Sequence, residues 1–197
     1  NHLEGHLYAG FIENKKLPFP FLTLLISGGH TQLWEVTSPE NYKLLGKTVD
    51  DAAGEAFDKG ARMLGLGYPG GPEIQRVSKN GDPTSYSFPR PEVKNSPLNF
   101  SFSGLKTALF YTLKKMTKSQ IKSNLNDLAS SYQEAIIDNC DLYLRFFPEP
   151  VDSSFMVSDS IGIELDPLFP SSGPTETNIY SDSLDQTLPI EKEGIVP

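Results

Sequence analysis

The chain has 197 residues, a formal net charge of −8 at pH 7, 38% apolar residues and one cysteine. The lone Cys140 excludes an internal disulfide and suits a reducing compartment, and no apolar run approaches the roughly 20 residues that a membrane-crossing helix needs. Residues 1–140 carry 15 Lys and Arg against 14 Asp and Glu, while residues 141–197 carry 2 against 11. The acidity therefore belongs to the second stretch and does not argue against a nucleic-acid partner for the first.

In chain order, residues 2–13 are expected to be helical, with Leu3, Leu7 and Phe11 on one face. The sequence starts at Asn1 inside that element and shows no signal or transit segment, so a piece of a longer chain is expected. Pro18 and Pro20 precede an apolar strand over 21–26, a Ser27-Gly28-Gly29 turn and a second strand ending near Val36. Adjacent glycines leave no Cβ between the backbone and a ligand, and amides at such a turn can line an anion. Most Gly-Gly turns only reverse the chain, so the weight of this one rests on its neighbours.

A third strand is expected over Tyr42–Val49, with Asp50-Asp51 capping a helix from Ala52. That helix places Ala53, Phe57, Ala61 and Leu64 on one side and stops near Gly65 and Gly67. Tyr68-Pro-Gly-Gly-Pro72 reads as a turn followed by a short helix to about Ser78, and 80–99 as an exposed excursion rich in turn formers. Helices are expected from Leu105 to about Lys118 and from about Leu125 to Asn139. Residues 141–197 contain 7 Pro and 8 Ser with no sustained periodicity. Such a composition cannot offset its ordering entropy, so two regions are expected. Residues 1–140 form the folded core, and 141–197 form an acidic Pro/Ser-rich tail that is disordered or not native to the fold.

Four groups of residues could carry chemistry. His2 and His6 lie about 40° apart on a helix, on one face, as two imidazole ligands of a metal would. A zinc-peptidase pattern would need Glu directly after the first His. Leu3 stands there instead, and Glu4 points about 200° away from His2. Asp58 could bind ribose hydroxyls or counter a metal; its plainer role is an i,i+4 pair with Arg62. Gly70-Gly71 is either a tight turn or a backbone platform under a nucleoside. Lys106, Lys114, Lys115, Lys118 and Lys122 could contact nucleic-acid phosphates, although such runs are more often solvated helix faces.

Six blocks, in order, resemble the tRNA N6-adenosine threonylcarbamoyltransferase family, once called the glycoprotease family. They are Asn1-His-Leu-Glu-Gly-His-Leu-Tyr-Ala9, Leu25-Ile-Ser-Gly-Gly-His-Thr-Gln-Leu33, Asp50-Asp-Ala-Ala-Gly-Glu-Ala-Phe-Asp-Lys59, Leu64-Gly-Leu-Gly-Tyr-Pro-Gly-Gly-Pro72, Asn99-Phe-Ser-Phe-Ser-Gly-Leu-Lys-Thr-Ala108 and Ser131-Tyr-Gln-Glu-Ala135. Together they cover about residues 1–139.

The resemblance implies an α/β, actin-like and Hsp70-like ATPase fold with a ribonuclease-H-like core, here incomplete. It implies an acyltransferase that moves a threonylcarbamoyl group from threonylcarbamoyl-adenylate to N6 of adenosine 37 in tRNAs reading codons that start with A. By motif, His2 and His6 match two ligands of a divalent metal, usually iron (Fe2+). Leu25, Ile26, Ser27, Gly28 and Gly29 match the segment that holds the substrate's phosphate and acyl group, and Asp58 and Gly71 match positions at its nucleoside end.

Implied partners are tRNA with either a paralogous scaffold subunit and a small ATPase, or a second copy of the chain; no membrane is implied. The implied compartment is the cytoplasm, or the mitochondrion in some eukaryotic relatives. The family's Gly-Gly-x-x-x-Asn segment and third metal ligand have no counterpart in 141–197, where Asp159 and Asp166 lack the Thr-Asp-Asn context. The chain on its own is therefore expected to be inactive. The competing readings are a metallopeptidase, which the Leu3 and Glu4 placement disfavours, and a non-catalytic scaffold paralogue, which the presence of both histidines disfavours.

Overall fold

The computed structural model describes residues 3, 5–7, 19–141, 156–159 and 179–181. A five-stranded sheet runs in the order β3-β2-β1-β4-β5, from β1 (Phe21–Ile26), β2 (Thr31–Ser38), β3 (Asn41–Lys47), β4 (Met156–Asp159) and β5 (Ile179–Ser181). β1, β2 and β3 form an antiparallel meander, while β4 and β5 add in parallel on the other side of β1. β1 is paired on both edges and buried along nearly its whole length, which is why it reads as an unbroken apolar run rather than an alternation. The stretch expected as a tail thus contributes two described strands; its remaining residues from 142 on lie outside the described ones.

Five helices are described: α1 (Ala53–Leu64), α2 (Gly70–Ser78), α3 (Ser103–Lys114), α4 (Lys118–Ser123) and α5 (Leu125–Asp141). Leu24, Ile26 and Leu33 of the sheet join Phe57, Leu64, Ile74, Leu105, Leu109, Leu128 and Ile136 of the helices in one apolar core. α1 sits in the middle of it, burying Ala53, Gly54, Ala56, Phe57, Gly60, Ala61 and Leu64. Small residues on that face let neighbours approach closely: a Cβ at Gly60 would lie 2.3 Å from the ring of Tyr132. Tyr132 is fully buried, and its hydroxyl donates to the Ala56 carbonyl at 3.0 Å. Burial, with the Asp51 charge nearby, pushes that phenol well above its ordinary value. α1 ends at Gly65, which takes the left-handed conformation at φ 75°.

The aspartate pair departs from expectation. α1 starts one residue later than expected, and its first amides are held by Thr31 and Glu55: Ala53 N–H donates to Thr31 Oγ1 at 2.9 Å and Ala52 N–H to Glu55 Oε2 at 3.0 Å. Asp50 instead caps α3, about fifty residues away in sequence. Its Oδ1 accepts from the N–H groups of Phe102 (2.8 Å) and Ser103 (3.3 Å), and its Oδ2 from the hydroxyls of Ser101 (2.5 Å) and Ser103 (2.8 Å). Asp51 pairs with Lys59 at 2.5 Å and faces Lys106 at 3.6 Å. The expected third strand stops at Lys47, after which Thr48 makes an isolated bridge to Phe100. The helix expected to reach Lys118 ends at Lys114, and α4 is a separate turn of helix capped by Thr117.

Burial alone would raise the Asp50 carboxyl, but the hydrogen bonds from Ser101, Phe102 and Ser103 outweigh it and hold the group below its ordinary value. Its stabilising contribution is therefore present above the ordinary carboxylate range and fades as pH falls through the lowered value. Asp50→Ala is expected to cost about 1–2 kcal/mol at pH 7 by urea unfolding. The gap to the unsubstituted chain should close as pH drops below about 4.

Candidate functional site

The Ser27-Gly28-Gly29-His30 turn joins β1 to β2 and is closed by the Ile26–Thr31 pair. Ser27 organises it from within. Its N–H donates to the His30 carbonyl at 2.8 Å, and its Oγ accepts from Gly29 N–H at 3.3 Å and His30 N–H at 3.0 Å. Two of the amides expected to line an anion are thus turned onto the Ser27 oxygen. Among the described residues, that leaves the Gly28 N–H and the Ser27 hydroxyl proton as the turn's donors without a partner. Gly28 and Gly29 are exposed, neither has positive φ, and a Cβ at either would meet nothing within 4 Å. Among the described residues, nothing in the packing or backbone requires glycine at these two positions. Leu25 and Ile26, by contrast, are buried residues at the end of the central strand β1, from which the turn leaves.

Directly after the turn, Thr31 ties it to the helical layer. It is fully buried; its hydroxyl caps α1 at Ala53, and its carbonyl accepts from Thr48 N–H at 2.8 Å. The N-terminus of α1, where the helix dipole favours negative charge, is therefore anchored one residue beyond the turn.

Asp58 lies five residues into α1, about 7.5 Å along its axis. Its Oδ1 accepts from the first amide of α2, Gly70 N–H, at 2.7 Å. This overturns the plainer expectation of a pair with Arg62: no such ion pair exists among the described residues, and Asp58 fastens α2 to α1 instead. A Cβ on Gly70 would fall 2.5 Å from the Asp58 Cα, so glycine there is a packing requirement. Gly71 is buried beside it, while Tyr68, just before the α2 start, is 83% exposed. Asp58 Oδ2 has no hydrogen-bond partner among the described residues, so one carboxylate oxygen holds the helix and the other is open to a hydroxyl.

Of the histidine pair, His6 is half-buried in helical backbone and His2 lies outside the described residues. Among the described residues no three His, Cys, Asp or Glu side chains converge as a metal cage, and no helix is long and apolar enough to cross a membrane.

The role of Thr31 escaped the sequence reading and Asp50 was read as capping α1, because the amides they hold lie 22 and 52 residues away in sequence. Ser101 and Ser103 flanking the α3 start were the available hint that something acidic would meet them. The last block is also mostly architectural. Ser131 Oγ accepts from Tyr86 N–H and donates to the Asp82 carbonyl, both at 3.1 Å, and Tyr132 locks onto α1.

The family model described as "TsaD: tRNA N6-adenosine threonylcarbamoyltransferase" matches residues 1–155. The chain belongs to this family. A curated threonylcarbamoyltransferase of Fervidobacterium nodosum is 51% identical over 141 residues, covering 70% of this chain and 42% of its own length. Those of Thermotoga neapolitana and Anaeromyxobacter dehalogenans are 54% and 55% identical, each over 70% of this chain and 41% of their own length. The chain thus spans about two fifths of the curated relatives it matches.

Among solved structures, the activator of the 2-hydroxyisocaproyl-CoA dehydratase from Clostridium difficile with bound ADPNP aligns over 90% of this chain and 59% of its own, at 13% identity and a TM-score of 0.50. That likeness concerns the fold alone. With the mixed β3-β2-β1-β4-β5 sheet, it bears out the α/β actin-like ATPase architecture that the threonylcarbamoyltransferase resemblance implies.

The glycines of the turn and the glycine at the α2 start should respond differently to a methyl group. Gly28→Ala and Gly29→Ala are expected to change unfolding free energy by no more than about 0.5 kcal/mol. Gly70→Ala should cost about 1–3 kcal/mol through overpacking. Urea titrations of the three variants make the comparison.

Proposed function

We propose that this chain carries the acyl-adenylate end of a threonylcarbamoyl transfer site, the transfer being to N6 of adenosine 37 in tRNAs reading codons that start with A. The observation that carries this reading is the open space at Gly28 and Gly29, on a turn tied by Thr31 to the start of α1. In the reaction, the adenine amine attacks the carbamoyl carbon of the mixed anhydride. An N–C bond forms, the C–O bond to phosphate breaks, the departing adenylate keeps the electron pair, and the amine gives up a proton.

The chain's part is to orient and stabilise. Leu25 and Ile26 fix the end of the central strand, while the Gly28 N–H and Ser27 hydroxyl donate to phosphate and acyl oxygens where negative charge grows. The α1 terminus adds a favourable field. At the far end, the free oxygen of Asp58 takes a ribose hydroxyl, with the Gly71 backbone beneath the nucleoside. Holding the anhydride and amine in register supplies much of the rate.

A divalent metal, iron in the family reading, fits the donor chemistry of His2 and His6, two imidazoles four residues apart in sequence. Bound there, it would supply a Lewis-acid charge for the substrate's oxygens. The partners that accompany this reading are tRNA with a paralogous scaffold and a small ATPase, or a second copy, in the cytoplasm or the mitochondrion.

Two measurements on the 197-residue chain test the reading. Calorimetry with a non-hydrolysable threonylcarbamoyl-adenylate analogue should show binding that Gly28→Val weakens by about tenfold or more, since a side chain would fill the ligand's space. Metal analysis should find bound iron or zinc that His2→Ala and His6→Ala each remove. Absence of analogue binding, or metal content unchanged in both histidine variants, refutes it.

A further inference from the structure

Between Glu92 and Asp127 the chain has six lysines and no carboxylate side chain, in a protein whose net charge is −8. Four of them, Lys114, Lys115, Lys118 and Lys122, are exposed within one nine-residue stretch. On α3, Leu105 and Leu109 face the core, and the opposite side carries Phe110, Tyr111 and Lys114. Lys115 follows, and then α4 presents Lys118 and Lys122 from a helix that buries no side chain.

Lys114, Lys115, Lys118 and Lys122 are all exposed and make no ion pair with a carboxylate among the described residues. Lys106 differs, being engaged with Asp51. Phe110 and Tyr111 are 51% and 55% exposed, their rings meeting edge-on at 5.5 Å and 71°. Helical spacing sets Phe110 above Lys114 and Tyr111 above Lys115.

An ordinary solvated face mixes both signs of charge and keeps large apolar rings apart. A protein-docking face enriches aromatics but excludes lysine. Aromatic rings that can stack on unpaired bases, set among lysines that can neutralise phosphates, fit single-stranded or looped RNA. We infer that the outer face of α3 and α4, built from Phe110, Tyr111, Lys114, Lys115, Lys118 and Lys122, docks the RNA substrate. This rests on the transferase reading above and deepens it. The lysines hold the sugar-phosphate backbone, and the two rings stack on exposed bases.

Fluorescence anisotropy of the 197-residue chain tests this, with an in vitro transcribed tRNA reading a codon that starts with A, over 50–200 mM KCl. Heparin serves as a polyanion without bases. Replacing the four lysines with Gln should lower tRNA affinity by about tenfold or more and reduce the slope of log affinity against log salt by about 3. The Lys→Arg quartet should bind as the unsubstituted chain does. Phe110→Ala with Tyr111→Ala should weaken tRNA by about tenfold and leave heparin unchanged.

The inference is overturned if the Gln quartet keeps both affinity and slope, if the Arg quartet fails to bind, or if the aromatic pair affects heparin as much as tRNA. It is also overturned if the aromatic pair converts a dimer to a monomer with tRNA affinity intact, which would make the surface a protein contact. Adenylate-analogue binding, measured alongside, separates the two proposals. Its retention with unaltered tRNA binding sinks only the docking face, and its absence in the unsubstituted chain sinks only the transfer site.

Discussion

The hydrogen bond from Ala53 N–H to the buried hydroxyl of Thr31 is the joint on which the rest of this structure hangs. It satisfies an amide that a helix start leaves unpaired and does so with a side chain from the sheet rather than from the helix's own lead-in. The turn at 27–30, the α1 terminus and the β3 end are thereby fixed as one corner. Thr31 also accepts from Thr48, so the same residue sets where β3 leaves the sheet. A methyl-for-hydroxyl change there would keep the shape and lose the joint, leaving a buried amide unpaired.

A second layer of restraint comes from the aspartates just before α1. Asp50 reaches α3 and Asp51 reaches both Lys59 and Lys106, so two adjacent carboxylates join helices far apart in sequence. Asp58 repeats the pattern at α2. Asp50 and Asp58 each satisfy the open start of another helix, whereas Asp51 pairs with lysine side chains. Helix starts are where unpaired donors concentrate, and this fold supplies their partners across the core.

That arrangement explains what could and could not be read from the letters alone. The strands at 21–26 and 31–38 and the long helices α1 and α5 declare themselves, because apolar periodicity is a local signal. The Gly28-Gly29 turn and the close packing at Gly70 were also visible as glycine pairs, although only the structure separates them. Gly28 and Gly29 have empty space around them; Gly70 is pressed against Asp58. Asp50 was assigned to the wrong helix because a nearby N-cap is the common solution and a cap from fifty residues away leaves no spacing to recognise. α4 was missed for a similar reason: a six-residue helix with no buried side chain has no apolar pattern to show.

Gly60 and Tyr132 form a size-matched couple, the ring occupying the volume that any larger residue at 60 would need. Neither position can therefore drift alone. A bulkier residue at 60 demands a smaller one at 132, and a smaller one at 132 opens a void and removes the hydroxyl that donates to the Ala56 carbonyl. The two sites should change together or stay fixed, which makes them a covarying pair set by volume, apart from any role in chemistry.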